Sequence, residues 1–133
     1  GALLRKLIGH TASVNSVAFS RDSGFLASGS ADNTVRIWNG NDGRFLRKIE
    51  GFGDSVRNVA FSPTGLLITS DFSYKHKLWY PTTGQLLRTI REYDSNARSG
   101  AFSDSGVLVT SSYQSSEALI IWDTECTSCV PFL

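Results

Sequence analysis

The chain has 133 residues, 41% of them apolar and 19% charged, and thirteen Lys and Arg against twelve Asp and Glu leave a net charge of +1. That length carries one domain or a piece of one and can bury about two thirds of its unfolded surface, which excludes a multidomain enzyme. The charge balance creates no whole-molecule field toward nucleic acid or an anionic membrane, so any charged recognition must be local.

The opening GALLRKLIGH sets basic residues inside its apolar run and lacks a small-residue cleavage site, so it does not read as a secretory leader. Apolar runs elsewhere are short, as at Phe25 to Ala27 and Ala118 to Trp122, far below the roughly 20 residues of a membrane helix. Two cysteines form no disulfide framework and no Asn-x-Ser/Thr sequon is present, which points to a reducing cytoplasmic or nuclear setting. No methionine occurs, even at position 1, as expected of an excerpt or a processed piece.

After the opening come SVNSVAFS, GFLASGS and NTVRIW, short blocks of alternating or contiguous apolar residues separated by Asp, Asn, Ser and Gly. That is the pattern of strands and turns. It then repeats. Ala-Phe-Ser recurs at 18–20, 60–62 and 101–103, while Trp38, Trp79 and Trp122 are 41 and 43 apart and Gly1, Gly43 and Gly84 are 42 and 41 apart. A period near 42 fits a propeller blade or a helix pair. No window keeps the i, i+3, i+4, i+7 spacing of a buried helix face, so the helical alternative falls. The segments Asp22-Ser23-Gly24, Asn41-Asp42-Gly43, Pro63-Thr64-Gly65, Pro81-Thr82-Thr83-Gly84 and Asp104-Ser105-Gly106 place Gly where a positive φ is expected of a turn. Each unit therefore reads as four short antiparallel strands.

The first unit carries Gly9-His10, then SGSADNTVRIW, then Trp38-Asn39, and in this it resembles the WD-repeat signature of a β-propeller blade. The resemblance extends over the whole chain as a single segment, 1–133, of three units at 1–42, 43–83 and 84–127 plus a terminal strand. The later units depart from the signature at Gly51-Phe52, Glu92-Tyr93, Trp79-Tyr80 and Trp122-Asp123. The fold class implied is all-β, with three blades, each a four-stranded antiparallel sheet, in an incomplete or open propeller. In chain order the resemblance implies an outer strand d at 3–8, strand a at 14–20, b at 25–30, c at 34–38 and d at 45–50. Next come a at 56–62, b at 66–70, c at 75–79 and d at 86–91, then a at 97–103, b at 107–112, c at 118–122 and d at 129–133. Blades stack face to face, so inner strands such as Val17-Ala18-Phe19 and Val59-Ala60-Phe61 are expected to be buried on both sides.

His10, Ser28 and Asp32 are the residue types of a hydrolase triad. The resemblance implies a different role, in which His10, Ser28, Asp32 and Trp38 form a buried hydrogen-bond relay that holds one blade together. The second unit has Phe52, Thr69 and Ser73 at the matching positions, and the third has Tyr93 and Thr110, with a b-to-c turn two residues longer that leaves open whether Glu117 substitutes for Asp. Cys126 and Cys129 form one C-x-x-C, too few ligands for a structural metal site and without a helix to serve redox chemistry. His76, in Lys75-His76-Lys77, reads as part of a solvated basic patch. No glycine-rich phosphate loop occurs, and neither cofactor nor metal is expected.

Loops on a rigid scaffold are where binding concentrates. The d-to-a and b-to-c loops carry Asp54, Asp71, Phe72, Tyr74, Asp94 and Tyr113, with Arg57 and Arg98 at the start of strand a. The candidate partner-binding residues are Arg57, Asp71, Phe72, Tyr74, Arg98 and Tyr113. The arginines can meet an acidic partner or balance Asp54 and Asp94. The implied function is a non-catalytic scaffold for a protein or peptide partner, with a regulatory or substrate-positioning segment of a larger enzyme or signalling protein as the alternative. Nucleic-acid contact through Lys75 and Lys77 ranks third. Closed propellers hold about four to eight blades, so three blades leave two faces for further blades of a parent chain or for self-association.

Overall fold

The computed structural model describes residues 1–73, 75–91, 99–111 and 119–123. Three antiparallel sheets follow one another along the chain. The first joins β1 (Val14–Phe19), β2 (Phe25–Ser30), β3 (Val35–Asn39) and β4 (Phe45–Ile49) in sequence order. The second joins β5 (Val56–Phe61), β6 (Leu67–Asp71), β7 (Lys75–Trp79) and β8 (Leu86–Arg91) in the same way. In the third, β10 (Val107–Ser111) lies between β9 (Ser99–Phe102) and β11 (Leu119–Asp123), three strands among the described residues. The fold is all-β, built from propeller blades, and the expected strands 25–30, 75–79 and 86–91 keep their bounds.

The repeat sets the turns at both ends of each sheet. The serine of each Ala-Phe-Ser caps the turn from strand a to strand b: Ser20, Ser62 and Ser103 each accept, on Oγ, the backbone N–H of the residue that opens or precedes the next strand, Phe25, Leu66 and Val107, at 2.9 to 3.1 Å. The turn after Ser20 is one residue longer than the one after Ser62. In it the left-handed residue is Ser23 at φ 60, where the sequence pattern puts Gly24, whereas Gly65 and Gly106 take φ 89 and 85 as expected.

Sheets pack face to face along their inner strands. Ala27, Val35 and Ile37 of the first sheet meet Val56, Val59 and Leu67 of the second, all at most 3% exposed. Ile68 and Leu78, on the opposite face of the second sheet, pack against Leu108 of the third. A central sheet is thus covered on both faces, which is why β6 is buried at every residue and does not alternate. Burying an Ile or Leu side chain contributes about 1.5–3 kcal/mol, so these junctions hold the stack. Gly29 allows the first junction to close, since a Cβ there would stand 2.7 Å from Val56 Cγ1. Polar bonds fix its register: Asn15 Nδ2 donates to Val56 O at 2.9 Å, and Val59 N donates to Ser16 Oγ at 3.1 Å. Asn58 Nδ2 carries the same device onward to Gly100 O at 3.1 Å.

Two expectations need correction. Residues 3–8 form no strand among the described residues, because a strand is defined by pairing, and β4 and β8 already occupy the outer edges of β3 and β7. Strand β1 is not buried on both sides: Val17 and Phe19 are 64% and 59% exposed, since no sheet among the described residues covers that face.

Candidate functional site

His10 lies in the loop leading into β1, Ser28 and Trp38 lie on β2 and β3, and Asp32 lies in the turn between those strands. The structure brings all four together. His10 Nδ1 is 2.8 Å from Asp32 Oδ2, His10 Nε2 is 2.7 Å from Ser28 Oγ, and Trp38 Nε1 is 2.9 Å from Ser28 Oγ. Donor and acceptor chemistry orders the chain: a carboxylate only accepts, so Nδ1 carries the proton toward Asp32, and Nε2 shares a hydrogen bond with the Ser28 hydroxyl. Ser28 in turn accepts from the indole N–H.

Asp32 anchors the network. Its Oδ1 accepts from the Thr34 hydroxyl at 2.6 Å and from Thr34 N at 3.0 Å, and its Oδ2 accepts from Thr11 N at 3.1 Å as well as from His10. Burial pushes the Asp32 carboxyl up, but the hydrogen bonds from Thr34, His10 and Thr11, with the charge of His10, outweigh it and hold the group well below the usual carboxylate range. Asn33, at φ 65, turns the chain so that Asp32 faces inward, a conformation that Asn tolerates better than most residues. The His10 and Asp32 side chains are 6% and 7% exposed.

Among the described residues the other sheets show the inner half of this arrangement. Trp79 Nε1 donates to Thr69 Oγ1 at 2.9 Å, and Trp122 Nε1 donates to Thr110 Oγ1 at 3.0 Å. In the second sheet Phe52 replaces the imidazole and packs on Trp79 with ring centres 5.4 Å apart. Lys77 closes this aromatic pair: its Nζ donates to Gly51 O at 2.7 Å and lies 5.2 Å from the centre of the Phe52 ring. Sequence reasoning missed Lys77. The available signal was Phe52 in the place of His10, which calls for a cation–π partner where His calls for a carboxylate.

The Lys75-His76-Lys77 patch does not exist as expected. His76 is fully buried, with Nδ1 2.6 Å from Ser70 Oγ, and Lys77 is bonded to the Gly51 carbonyl. Strand β7 runs between β6 and β8, so alternate side chains enter a sheet junction whatever their polarity. Asp71, expected to be a surface partner residue, is likewise 1% exposed. Its Oδ1 accepts from the Ser73 hydroxyl at 2.6 Å and from Lys75 N at 3.3 Å, so it serves its own turn.

The loop-bearing end is defined by bonds between the d-to-a and b-to-c connections: Ala31 N donates to Ser13 O and Phe72 N to Ser55 O. There the Arg57 guanidinium lies over the Phe72 ring, 3.8 Å from its centre, and Phe72 is 41% exposed. Tyr74, Arg98 and Tyr113, and the Cys126 and Cys129 pair, lie outside the described residues. Among the described residues no group of three or more His, Cys, Asp or Glu could hold a metal ion, and no helix is long and apolar enough to cross a membrane.

The family described as "WD domain, G-beta repeat" matches residues 1–39. The chain is 42% identical over 65 residues to eukaryotic translation initiation factor 3 subunit I of Aspergillus fumigatus, which covers 49% of this chain and 19% of that protein. It is 42% identical over 62 residues to protein HIR1 of Cryptococcus neoformans, covering 47% and 7%. It is 42% identical over 43 residues to ribosome assembly protein 4 of Saccharomyces cerevisiae, covering 32% and 8%. The aligned part is thus less than a fifth of each of these relatives. The matched family covers the unit that holds the complete relay, the same strand order recurs in the second sheet, and the Trp-to-hydroxyl bond recurs in all three, so residues 1–39 are similar to a WD repeat and the sheets that follow repeat part of its arrangement.

Proposed function

We propose that the chain is a non-catalytic interaction module, a WD-repeat scaffold that holds a peptide or protein partner on its loop-bearing end. The observation that carries this reading is the Arg57–Phe72 stack. A ring 41% exposed and a guanidinium 3.8 Å from its centre offer apolar area beside N–H groups that can meet a carboxylate or a backbone carbonyl. Arginine and aromatic residues are enriched among the anchors of protein interfaces. A partner segment with an acidic residue next to an apolar one fits this pair. The relatives' names, a subunit of an initiation factor and a ribosome assembly protein, support a role in assemblies by analogy alone. A cytoplasmic or nuclear setting belongs to the same proposal.

The relay is read as architectural. Ser28 has the partners of a triad serine, but its Oγ already accepts the Trp38 N–H at 2.9 Å and the residue is 5% exposed. A nucleophile needs an open approach for its substrate.

The test is selection from a random peptide library on the immobilised chain. Recovered peptides should carry carboxylates, and Arg57→Ala or Phe72→Ala should each weaken them about tenfold, which is about 1.4 kcal/mol, with the melting temperature unchanged. Peptides that bind both variants as tightly as the parent would refute the assignment of this face.

A further inference from the structure

At the end of the first sheet opposite the b-to-c loop, the turn after β3 rests on the turn between β1 and β2, and it holds a reactive dipeptide. Asn39-Gly40 is the only Asn-Gly pair in the chain. Asparagine followed by glycine is the pair in which a backbone nitrogen most readily attacks the preceding side-chain carbonyl, because no side chain obstructs ring closure. Glycine is required here by packing as well: a Cβ at Gly40 would collide with Ser23 O.

The fold activates one reactant and restrains the other. Asn39 Oδ1 accepts from Asn41 N at 2.9 Å and from Asp42 N at 3.2 Å, which bends the side chain forward over the Gly40 peptide. Two N–H groups aimed at a carbonyl oxygen stabilise the negative charge that develops there as a nucleophile adds to the carbon. The nucleophile is held back, since Gly40 N donates to Gly24 O at 3.0 Å. The turn that supplies this carbonyl is itself fixed by Asp22, whose Oδ1 accepts from Gly24 N at 2.9 Å and from the Ser20 hydroxyl at 2.7 Å.

We propose that Asn39 is a self-modification site, deamidated when the turn at residues 20–24 releases Gly40. The bond from Gly40 N to Asn39 Cγ forms and the Cγ–Nδ2 bond breaks; the Gly40 proton passes through solvent to the departing nitrogen, which leaves as ammonia. Water then opens the cyclic imide, its hydroxyl joining one carbonyl carbon and its proton the ring nitrogen, and leaves aspartate or isoaspartate at position 39. No oxidant or reductant takes part. Aspartate sets a carboxylate after Trp38 as Asp123 stands after Trp122. Its oxygens accept the same Asn41 and Asp42 N–H groups, now as charge-assisted bonds, and the new charge cancels the chain's net +1.

Incubation of the chain at mildly alkaline pH, followed by proteolysis and mass spectrometry, tests this. The amide-to-acid mass gain should fall on Asn39 ahead of the other asparagines, and at least about tenfold faster in urea than in the folded chain, a factor within the range of local opening equilibria. Asp22→Ala, at an exposed position, should stay folded by circular dichroism and speed the reaction several-fold. Asp22→Asn, which keeps an acceptor for Gly24 N, should restore the slow rate. If Asp22→Ala fails to fold, hydrogen exchange at the Gly40 amide of the parent takes its place, and exchange and deamidation should accelerate together as urea is raised. Asn39→Asp, which builds the product, should keep the circular dichroism of the parent. Conversion at other asparagines ahead of Asn39 overturns the site. A folded chain that reacts as fast as the unfolded one, an Asp22→Ala rate equal to the parent's, or exchange that rises without deamidation overturns the restraint by the neighbouring turn, and an unfolded Asn39→Asp overturns the fit of the product.

Discussion

Replacing Ser28 with Ala removes one oxygen and strands two groups. The Trp38 indole N–H, in a residue 3% exposed, loses its acceptor, and His10 Nε2 loses its partner. A buried donor left unsatisfied costs about 1–3 kcal/mol, and the imidazole, still tied to Asp32 through Nδ1, cannot turn to find another partner without breaking a 2.8 Å bond. The expected loss is about 2–3 kcal/mol, which in a chain of this size lowers the melting temperature by about 6–15 °C. Ser28→Thr keeps the hydroxyl, as Thr69 and Thr110 do in the other sheets, and should cost no more than about 1 kcal/mol. Thr69→Val removes the corresponding acceptor where no imidazole or carboxylate follows, so its cost should fall below that of Ser28→Ala. Thermal melts and urea titrations must be run at one protein concentration, because self-association would make the midpoint concentration-dependent. If Ser28→Ala melts within about 2 °C of the parent, or if Ser28→Thr is as damaging, the relay does not hold the first sheet together.

Three further outcomes follow from the same geometry. Asp32 has its folded pKa depressed below the unfolded value of about 3.9, so its stabilisation is present above that pH and lost as pH falls toward the folded value. The parent's melting temperature should therefore fall more steeply below about pH 4 than that of Asp32→Asn, and parallel curves would remove Asp32 from the account. Gly29→Ala puts a Cβ 2.7 Å from Val56 Cγ1 and should cost about 1–3 kcal/mol as an overpacked junction, read as a lower urea midpoint. Phe52→His moves the second unit toward the spelling of the first, yet it should destabilise by about 2 kcal/mol. The new imidazole would face the Lys77 ammonium and lose the packing on Trp79, and a variant that melts above the parent would contradict the roles given to Phe52 and Lys77.

Much of the fold was legible because turn residues and short apolar blocks mark strand ends locally, and because the spacing of Ala-Phe-Ser and Trp places three units in register. The candidate relay was legible through the resemblance to a WD repeat, which implies the roles of His10, Ser28, Asp32 and Trp38 from their places in that signature. The capping serines were in plain view within Ala-Phe-Ser, but their task emerges only from Ser20, Ser62 and Ser103 each accepting from the residue beyond the turn. Burial of polar residues was the less legible part. Lys75-His76-Lys77 and Asp71 look like surface chemistry as strings. Counting back three residues from Trp79 puts His76 at the position of Val35, and that register, unlike composition, carries the prediction of burial.

Register still does not decide exposure by itself. Val17 and Val59 share a position in the repeat and the same flanking Ala-Phe-Ser, yet one is 64% exposed and the other 3%. The difference lies in whether another sheet stands opposite, which is a property of the stack and not of the strand. The same holds for residues 3–8, whose contacts with Gly43 reproduce those of an outer strand without the pairing that would make them one. In a repeat fold each unit specifies its own hydrogen bonds but only half of each junction.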